Sequence, residues 1–72
     1  MKVPRFDVFS GTETNAQWIE EVEGFDTACR RMEFYAFTCP GKYFVFNCSE
    51  HAIATCIDTS PPVNVGYGPF RG

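Results

Sequence analysis

The pattern of apolar and polar residues predicts strands in four short stretches of this chain. Residues 6–9, 16–22 and 52–57 follow a period of two, which is typical of strands whose side chains point to opposite sides of a sheet. Residues 43–46 are all aromatic or β-branched, the residue types that favour strands. The last two stretches flank the polar turn formers Asn47-Cys48-Ser49-Glu50-His51 and therefore predict a hairpin.

Residues 25–38 follow a different period. Apolar residues recur there at spacings of three and four, which predicts one buried stripe on a helix. Pro40-Gly41 ends the pattern, because proline cannot continue a helix and glycine accepts the exit conformation. The stripe consists of Phe25, Ala28, Cys29, Met32, Tyr35 and Ala36.

The strand periods also predict which side chains share a side of the sheet. Both sides of the strand 43–46 are apolar, which indicates a central strand that needs cover on both sides. The predicted groupings are Phe6 with Val8 and Asp7 with Phe9; Trp18 with Glu20 and Val22; Tyr43 with Val45 and Phe44 with Phe46; Ile53 with Thr55 and Ile57, opposite Ala54 and Cys56. The polar stretch 10–15 reads as a loop.

Together these elements predict an α+β fold of order ββαββ. We expect a four-stranded, mainly antiparallel sheet with one helix packed on one side, in a single domain spanning residues 1–60. Residues 61–72 are rich in Pro and Gly and lack periodicity, so we expect a flexible C-terminal segment. The alternative is a docking arm that uses Tyr67 and Phe70 as anchors.

Composition narrows the possible functions. The chain has 72 residues, a formal net charge of −3 and an aromatic content of 17%. Its six basic residues are scattered, which disfavours nucleic-acid binding because phosphate contacts need clustered Lys and Arg. There is no apolar run of membrane-spanning or signal-peptide length. We therefore expect a cytoplasmic protein without membrane contact, whose four cysteines are reduced rather than disulfide-bonded.

Four sequence segments carry a resemblance to a known family. They are RFDVFSG, AQWIEEVEGF before the helix, PGKYFVF, and IDTS near residue 60. Over residues 4–60 the chain resembles small bacterial ββαββ proteins of unknown function. The resemblance implies the fold, and it implies no catalytic residue and no cofactor.

Candidate chemistry is sparse. Cys48 and His51 are three residues apart in the predicted turn and could supply two ligands of a zinc site, with Cys56 or Glu50 completing it. Cys48, His51 and a nearby carboxylate also supply the residue types of a thiol nucleophile. A solvent-facing turn histidine explains the same residues, and we expect no enzyme activity.

The aromatic residues support a different hypothesis. One helix leaves the second side of the sheet uncovered, and an exposed apolar sheet surface is typical of an interface. The sequence therefore predicts a non-enzymatic interaction module that forms a homodimer or binds another protein through this surface or through a sheet edge. Small-ligand or single-stranded nucleic-acid binding by stacking is the alternative. The candidate interface residues are Phe9, Trp18, Phe44 and Phe46 on the sheet, with Phe34 and Phe37 on the outer side of the helix.

Overall fold

The fold is the predicted α+β arrangement. The computed structural model describes residues 3–61. Its elements are β1 (Arg5–Thr12), β2 (Asn15–Glu23), α1 (Phe25–Thr38), β3 (Lys42–Asn47) and β4 (Ala52–Asp58). The strands form one sheet in the order β2-β1-β3-β4, and all three neighbouring pairs are antiparallel.

The helix begins and ends where the sequence predicts. Gly24 precedes α1 with a φ of 90°, a conformation that glycine adopts without strain. Its amide donates to the carbonyl of Pro4 at 2.8 Å, so the helix start is tied to the beginning of β1. At the other end the amide of Cys39 donates to the carbonyl of Tyr35 at 2.8 Å. Ala28, Met32 and Ala36 form the buried stripe.

The core lies between α1 and one side of the sheet, which we call the helix face. The two central strands supply Phe6, Val8, Tyr43 and Val45, and these residues pack on the buried helix residues. Ile19, Val22, Tyr35 and Ile57 are partly buried against them. The prediction that Phe6 and Val8 share one side of the sheet is therefore confirmed, as is the same prediction for Tyr43 and Val45.

Thr59 fastens the end of the sheet to the end of the helix. Its hydroxyl donates to the carbonyl of Ala36 at 2.6 Å and accepts from the amide of Gly41 at 3.1 Å. Its own amide donates to the carbonyl of Gly41 at 2.9 Å. The carbonyl of Ala36 belongs to the last turn of α1, where backbone acceptors lack helical partners, so this one side chain satisfies groups on both sides of the helix–strand connection.

The predicted loop over residues 10–15 is mostly strand. Ser10 pairs with both Gln17 and Tyr43, and β1 continues to Thr12, so only residues 13 and 14 form the turn. The small polar residues there had predicted a loop, but cross-strand pairing overrides their weak strand preference. Gly11 has a φ of 94°, and a Cβ at this position would collide with the carbonyl oxygen of Asn15.

Two β-bulges place part of β2 and part of β4 on the side of the sheet opposite to the prediction. Val8 pairs with Glu20 and Phe9 with Trp18, so Ile19 is an extra residue in β2. Val45 pairs with Thr55 and Phe46 with Ile53, so Ala54 is an extra residue in β4. An extra residue reverses the alternation on one side of it. Trp18 therefore lies on the opposite side of the sheet from Glu20 and Val22, and Ile53 lies opposite Thr55 and Ile57.

Within residues 3–61 no helix is long and apolar enough to cross a membrane. The predicted C-terminal segment, including Tyr67 and Phe70, lies outside the described residues except for Pro61.

Candidate interaction surface

An apolar band crosses the side of the sheet that α1 does not cover, which we call the open face. Trp18 of β2 pairs with Phe9 of β1, Phe9 pairs with Phe44 of β3, and Phe44 pairs with Cys56 of β4. Phe46 and its partner Ile53 form the neighbouring row. The band, defined as Trp18, Phe9, Phe44, Phe46, Ile53 and Cys56, therefore draws on all four strands.

The aromatic rings of the band pack on one another. Phe9 and Phe44 are stacked, with ring centroids 4.9 Å apart and planes 10° from parallel. The ring of Phe46 meets Phe9 edge-on at 6.4 Å and lies 6.5 Å from the ring of His51. Offset stacking and edge contacts are favourable aromatic geometries. These contacts therefore fix the orientation of the rings and give the band a defined surface shape.

The ends of the band are the most accessible to solvent. Trp18 is 57% exposed and Ile53 is 36% exposed, whereas Phe44 in the middle is 6% exposed. Trp18 and Ile53 lie on the open face because of the bulges, whereas Cys56, which is also exposed, lies there through regular pairing with Phe44.

A polar cluster borders the band at the beginning of β1. The carboxylate of Asp7 accepts from the indole nitrogen of Trp18 at 3.2 Å and from the thiol of Cys48 at 3.1 Å. Glu21, the cross-strand partner of Asp7, accepts from Arg5 at 3.3 Å. These contacts orient Trp18, because its indole is held at one edge by Asp7.

The thiol of Cys48 is poorly suited to nucleophilic chemistry. Its hydrogen bond to Asp7 raises the pKa of Cys48, and burial and the negative charges of Asp7 and Glu21 raise it further. The thiolate is the reactive form of cysteine. A reactive cysteine needs a positive neighbourhood, and this one has a carboxylate as its hydrogen-bond partner.

The zinc set suggested by the sequence is not assembled in residues 3–61. The only group of three metal-binding side chains in that part of the chain is Asp7, Glu21 and Cys48, whose ligand atoms lie within 4.8 Å of one another. His51, Glu50 and Cys56 are not in it. Asp7 and Glu21 already accept hydrogen bonds from protein donors, so the group satisfies itself without an ion.

An open cleft of about 850 Å³ adjoins this polar cluster. Most of its lining residues are polar or charged, and they include Arg5, Glu21, Glu23 and Cys48. Small-molecule sites are usually concave and mostly apolar with a few placed polar groups. The cleft contains neither the aromatic residues of the band nor His51, so it does not bring the candidate residues together.

Phe34 and Phe37 lie on a separate surface. They are 54% and 70% exposed on the outer side of α1, and the helix itself separates them from the open face. The guanidinium of Arg31 lies 5.3 Å from the ring centroid of Phe34, a cation–π distance. The six candidate interface residues therefore divide into four on the open face and two on the helix.

One connected group escaped the sequence analysis. Glu20 accepts from the hydroxyl of Tyr35 at 2.6 Å and from the Nε of Arg31 at 2.7 Å, and Arg31 also donates to Tyr35 at 3.0 Å. Glu20 pairs with Val8 and therefore lies on the helix face. The four-residue spacing of Arg31 and Tyr35 was a signal that they share one side of the helix, but nothing local pointed to their partner in β2.

No protein-family model, curated protein or solved structure matches the chain.

Proposed function

We propose that this protein is a non-enzymatic interaction module that self-associates through its open face, most simply as a two-fold dimer. The observation that carries the proposal is the apolar band, which spans all four strands and ends in two accessible residues, Trp18 and Ile53. Burying exposed apolar surface is the main driving force of protein association, and aromatic residues are enriched at the energetic centres of interfaces.

The size of the open face sets the expected strength. Four strands at a spacing of about 4.8 Å, over about three rows of residues, give a footprint of roughly 400 Å². Stable interfaces bury about 800 Å² per partner. We therefore expect weak association, with a dissociation constant in the micromolar range.

The stacking of the rings favours a protein partner over nucleic acid. Bases bind to free ring surfaces, but Phe9 and Phe44 occupy one surface of each other. Asp7 and Glu21 lie beside the band on the same side of the sheet, where their charges oppose phosphate. A second protein surface can pack against the fixed rings without needing a free ring surface for stacking or a positive charge for phosphate.

The proposal is tested by sedimentation equilibrium in reducing buffer from about 10 µM to about 1 mM, a range that brackets the expected affinity. We expect the unmodified protein to populate a dimer. Trp18→Ser removes the most exposed residue of the band and should raise the dissociation constant roughly tenfold or more.

Phe37→Ser is the matched control, because it also removes an exposed aromatic side chain but acts on the helix. Its dissociation constant should equal that of the unmodified protein. A monomer at the highest concentration would overturn the proposal. A loss of association in Phe37→Ser alone would move the interface to the outer side of α1.

A further inference from the structure

The two edges of the sheet are protected to different degrees. An edge strand exposes unpaired backbone groups, and proteins guard such edges with charged side chains, proline or bulges. β2 carries Glu20, Glu21 and Glu23 along its length, whereas β4 has no charged side chain from Ala52 to Ile57. Each edge strand contains one bulge, so the charges and not the bulges distinguish them.

From this asymmetry we propose that β4 is a second interaction site, at which the edge pairs in antiparallel orientation with β4 of a second copy. Two sheets would thereby join into one continuous sheet of eight strands. Identical strands related by a two-fold axis are antiparallel, so a single chain supplies both halves of such a contact. The strand needs no other protein to complete it.

The sides on which the residues of β4 lie limit the register of this pairing. Residues directly opposite each other in an antiparallel pair lie on the same side of the sheet. Cys56 and Ile53 both lie on the open face, while Ile57 and Ala52 both lie on the helix face. A register that places Cys56 opposite Ile53 of the second copy, and Ile57 opposite Ala52 of the second copy, meets this condition and pairs apolar residues on both sides.

The same register is also favourable on the open face. It places Ile53 of the second copy beside Cys56, so the apolar band continues from one chain into the other. A different protein strand would have to supply a matching apolar side chain at that position.

This inference goes beyond the proposed function and does not depend on it, because the edge would associate through the backbone groups of β4 and the open face through side chains. Ile53 and Cys56 belong to both surfaces, whereas Trp18 belongs to the open face alone. If both operate, dimers formed through the open face join through β4 into a species of four chains. A variant should then abolish association through one surface and leave the other intact, so the two proposals can be refuted separately.

The test measures the mass of four full-length proteins by sedimentation: unmodified, Trp18→Ser, Ala54→Lys and the double variant. Ala54 is exposed in the bulge of β4, so a lysine there leaves the core intact and adds the charge that the edge lacks. Each single variant should stop at a dimer, and the double variant should be monomeric.

The matched control is Ala16→Lys, made in the Trp18→Ser background. It places the same charge on an exposed residue of β2, the other edge, and the dimer should persist. An unchanged mass on adding Ala54→Lys to the Trp18→Ser variant would overturn pairing through β4, whatever the open face does. Dissociation by Ala54→Lys with no effect of Trp18→Ser would leave β4 pairing standing and refute the open face.

Backbone hydrogen exchange on the unmodified chain checks the same inference without any variant. The amides of β4 that do not bond to β3 should exchange at least roughly tenfold more slowly at high than at low protein concentration if a second copy covers them. Fast exchange at both concentrations would contradict the pairing. Slow exchange at a concentration where sedimentation gives a monomer would contradict it too, because no second copy would then cover the edge.

Discussion

At the scale of single residues, the carboxylate of Glu20 links the sheet to the helix. The hydroxyl of Tyr35 and then the guanidinium of Arg31 hold the pKa of Glu20 below its usual range. A carboxylate with a lowered pKa in the folded state stabilises the fold at neutral pH. That contribution disappears as the pH falls from the unfolded pKa, about 4.3, through the lower folded pKa.

Tyr35→Phe should therefore lower the free energy of unfolding by about 1 kcal/mol at about pH 7, the usual scale for one hydrogen bond. The loss should be smaller at about pH 3, because protonation of Glu20 removes the contribution of its charged form to stability. Urea unfolding followed by circular dichroism at the two pH values measures it.

Tyr43→Phe provides the control for this pH dependence. The hydroxyl of Tyr43 donates to the carbonyl of Cys39, which does not titrate. Its removal should have the same effect at both pH values. A Tyr35→Phe effect that is equally independent of pH would show that the bond to Glu20 does not carry the stabilisation.

At the scale of elements, each outer strand carries one residue more than regular pairing requires. Ala54 is exposed, and Ile53 and Thr55 already pair with Phe46 and Val45 on either side of it. A bulge adds local bend and twist to its strand. Because Ala54 is the extra residue, a strand without it would pair regularly and keep the same residues toward the core.

Deleting Ala54 should therefore leave a folded protein, with a change in the free energy of unfolding of about 1 kcal/mol or less, as for an ordinary surface substitution. Amide NMR spectra and urea unfolding check this outcome. Deleting Asp7 is the contrast, because β1 has no extra residue and the deletion would turn Phe6 out of the core. If the chain without Ala54 is unfolded, the bulge is required for the sheet.

The sequence predicts the helix and the number of strands well but not the bulges. The helix has strong local signals in its buried stripe, in Gly24 and in Pro40. The bulges at Ile19 and Ala54 have no glycine or proline to mark them, and they arise from pairing with distant strands. Alternation read straight through β2 and β4 therefore assigns Trp18 and Ile53 to the wrong side.

The candidate surface is predictable to a similar degree. Phe9, Phe44 and Phe46 reach the open face by plain alternation in strands without an extra residue. The contact between Cys48 and Asp7 joins residues 41 positions apart, and no local pattern contains that information. Glu20 and its helix partners were missed for the same reason.

At the scale of the whole molecule, stability depends on very few buried side chains. Only eight hydrophobic residues are buried in the described part of the chain, seven in the core beneath α1 and Phe44 on the open face, and Val8 and Val45 are the largest that are fully enclosed. Domains of this size bury about 60% of the surface of their unfolded chain and are marginally stable. The free energy lost by truncating one core side chain is therefore a large fraction of the total free energy of unfolding.

Met32→Ala should cost about 2–5 kcal/mol, against a total of about 5 kcal/mol for a domain near the lower limit of stability. This leaves about 0–3 kcal/mol, so we expect the urea midpoint, followed by circular dichroism, to fall by about two fifths or more. Phe37→Ala removes a larger but 70% exposed side chain and should change the free energy of unfolding by less than about 0.5 kcal/mol. Equal effects of the two would contradict the assignment of the core.

The two bulges also bear on how this chain should be compared with others. A relative with regular outer strands would be two residues shorter, yet it would keep every connection and every facing residue. A correct alignment with it would open one gap at Ile19 and one at Ala54, both inside strands. An alignment that confines gaps to the connections would shift Trp18 and Ile53 by one position each. It would then equate surface residues of one chain with core residues of the other, and the substitutions inferred from it would be wrong.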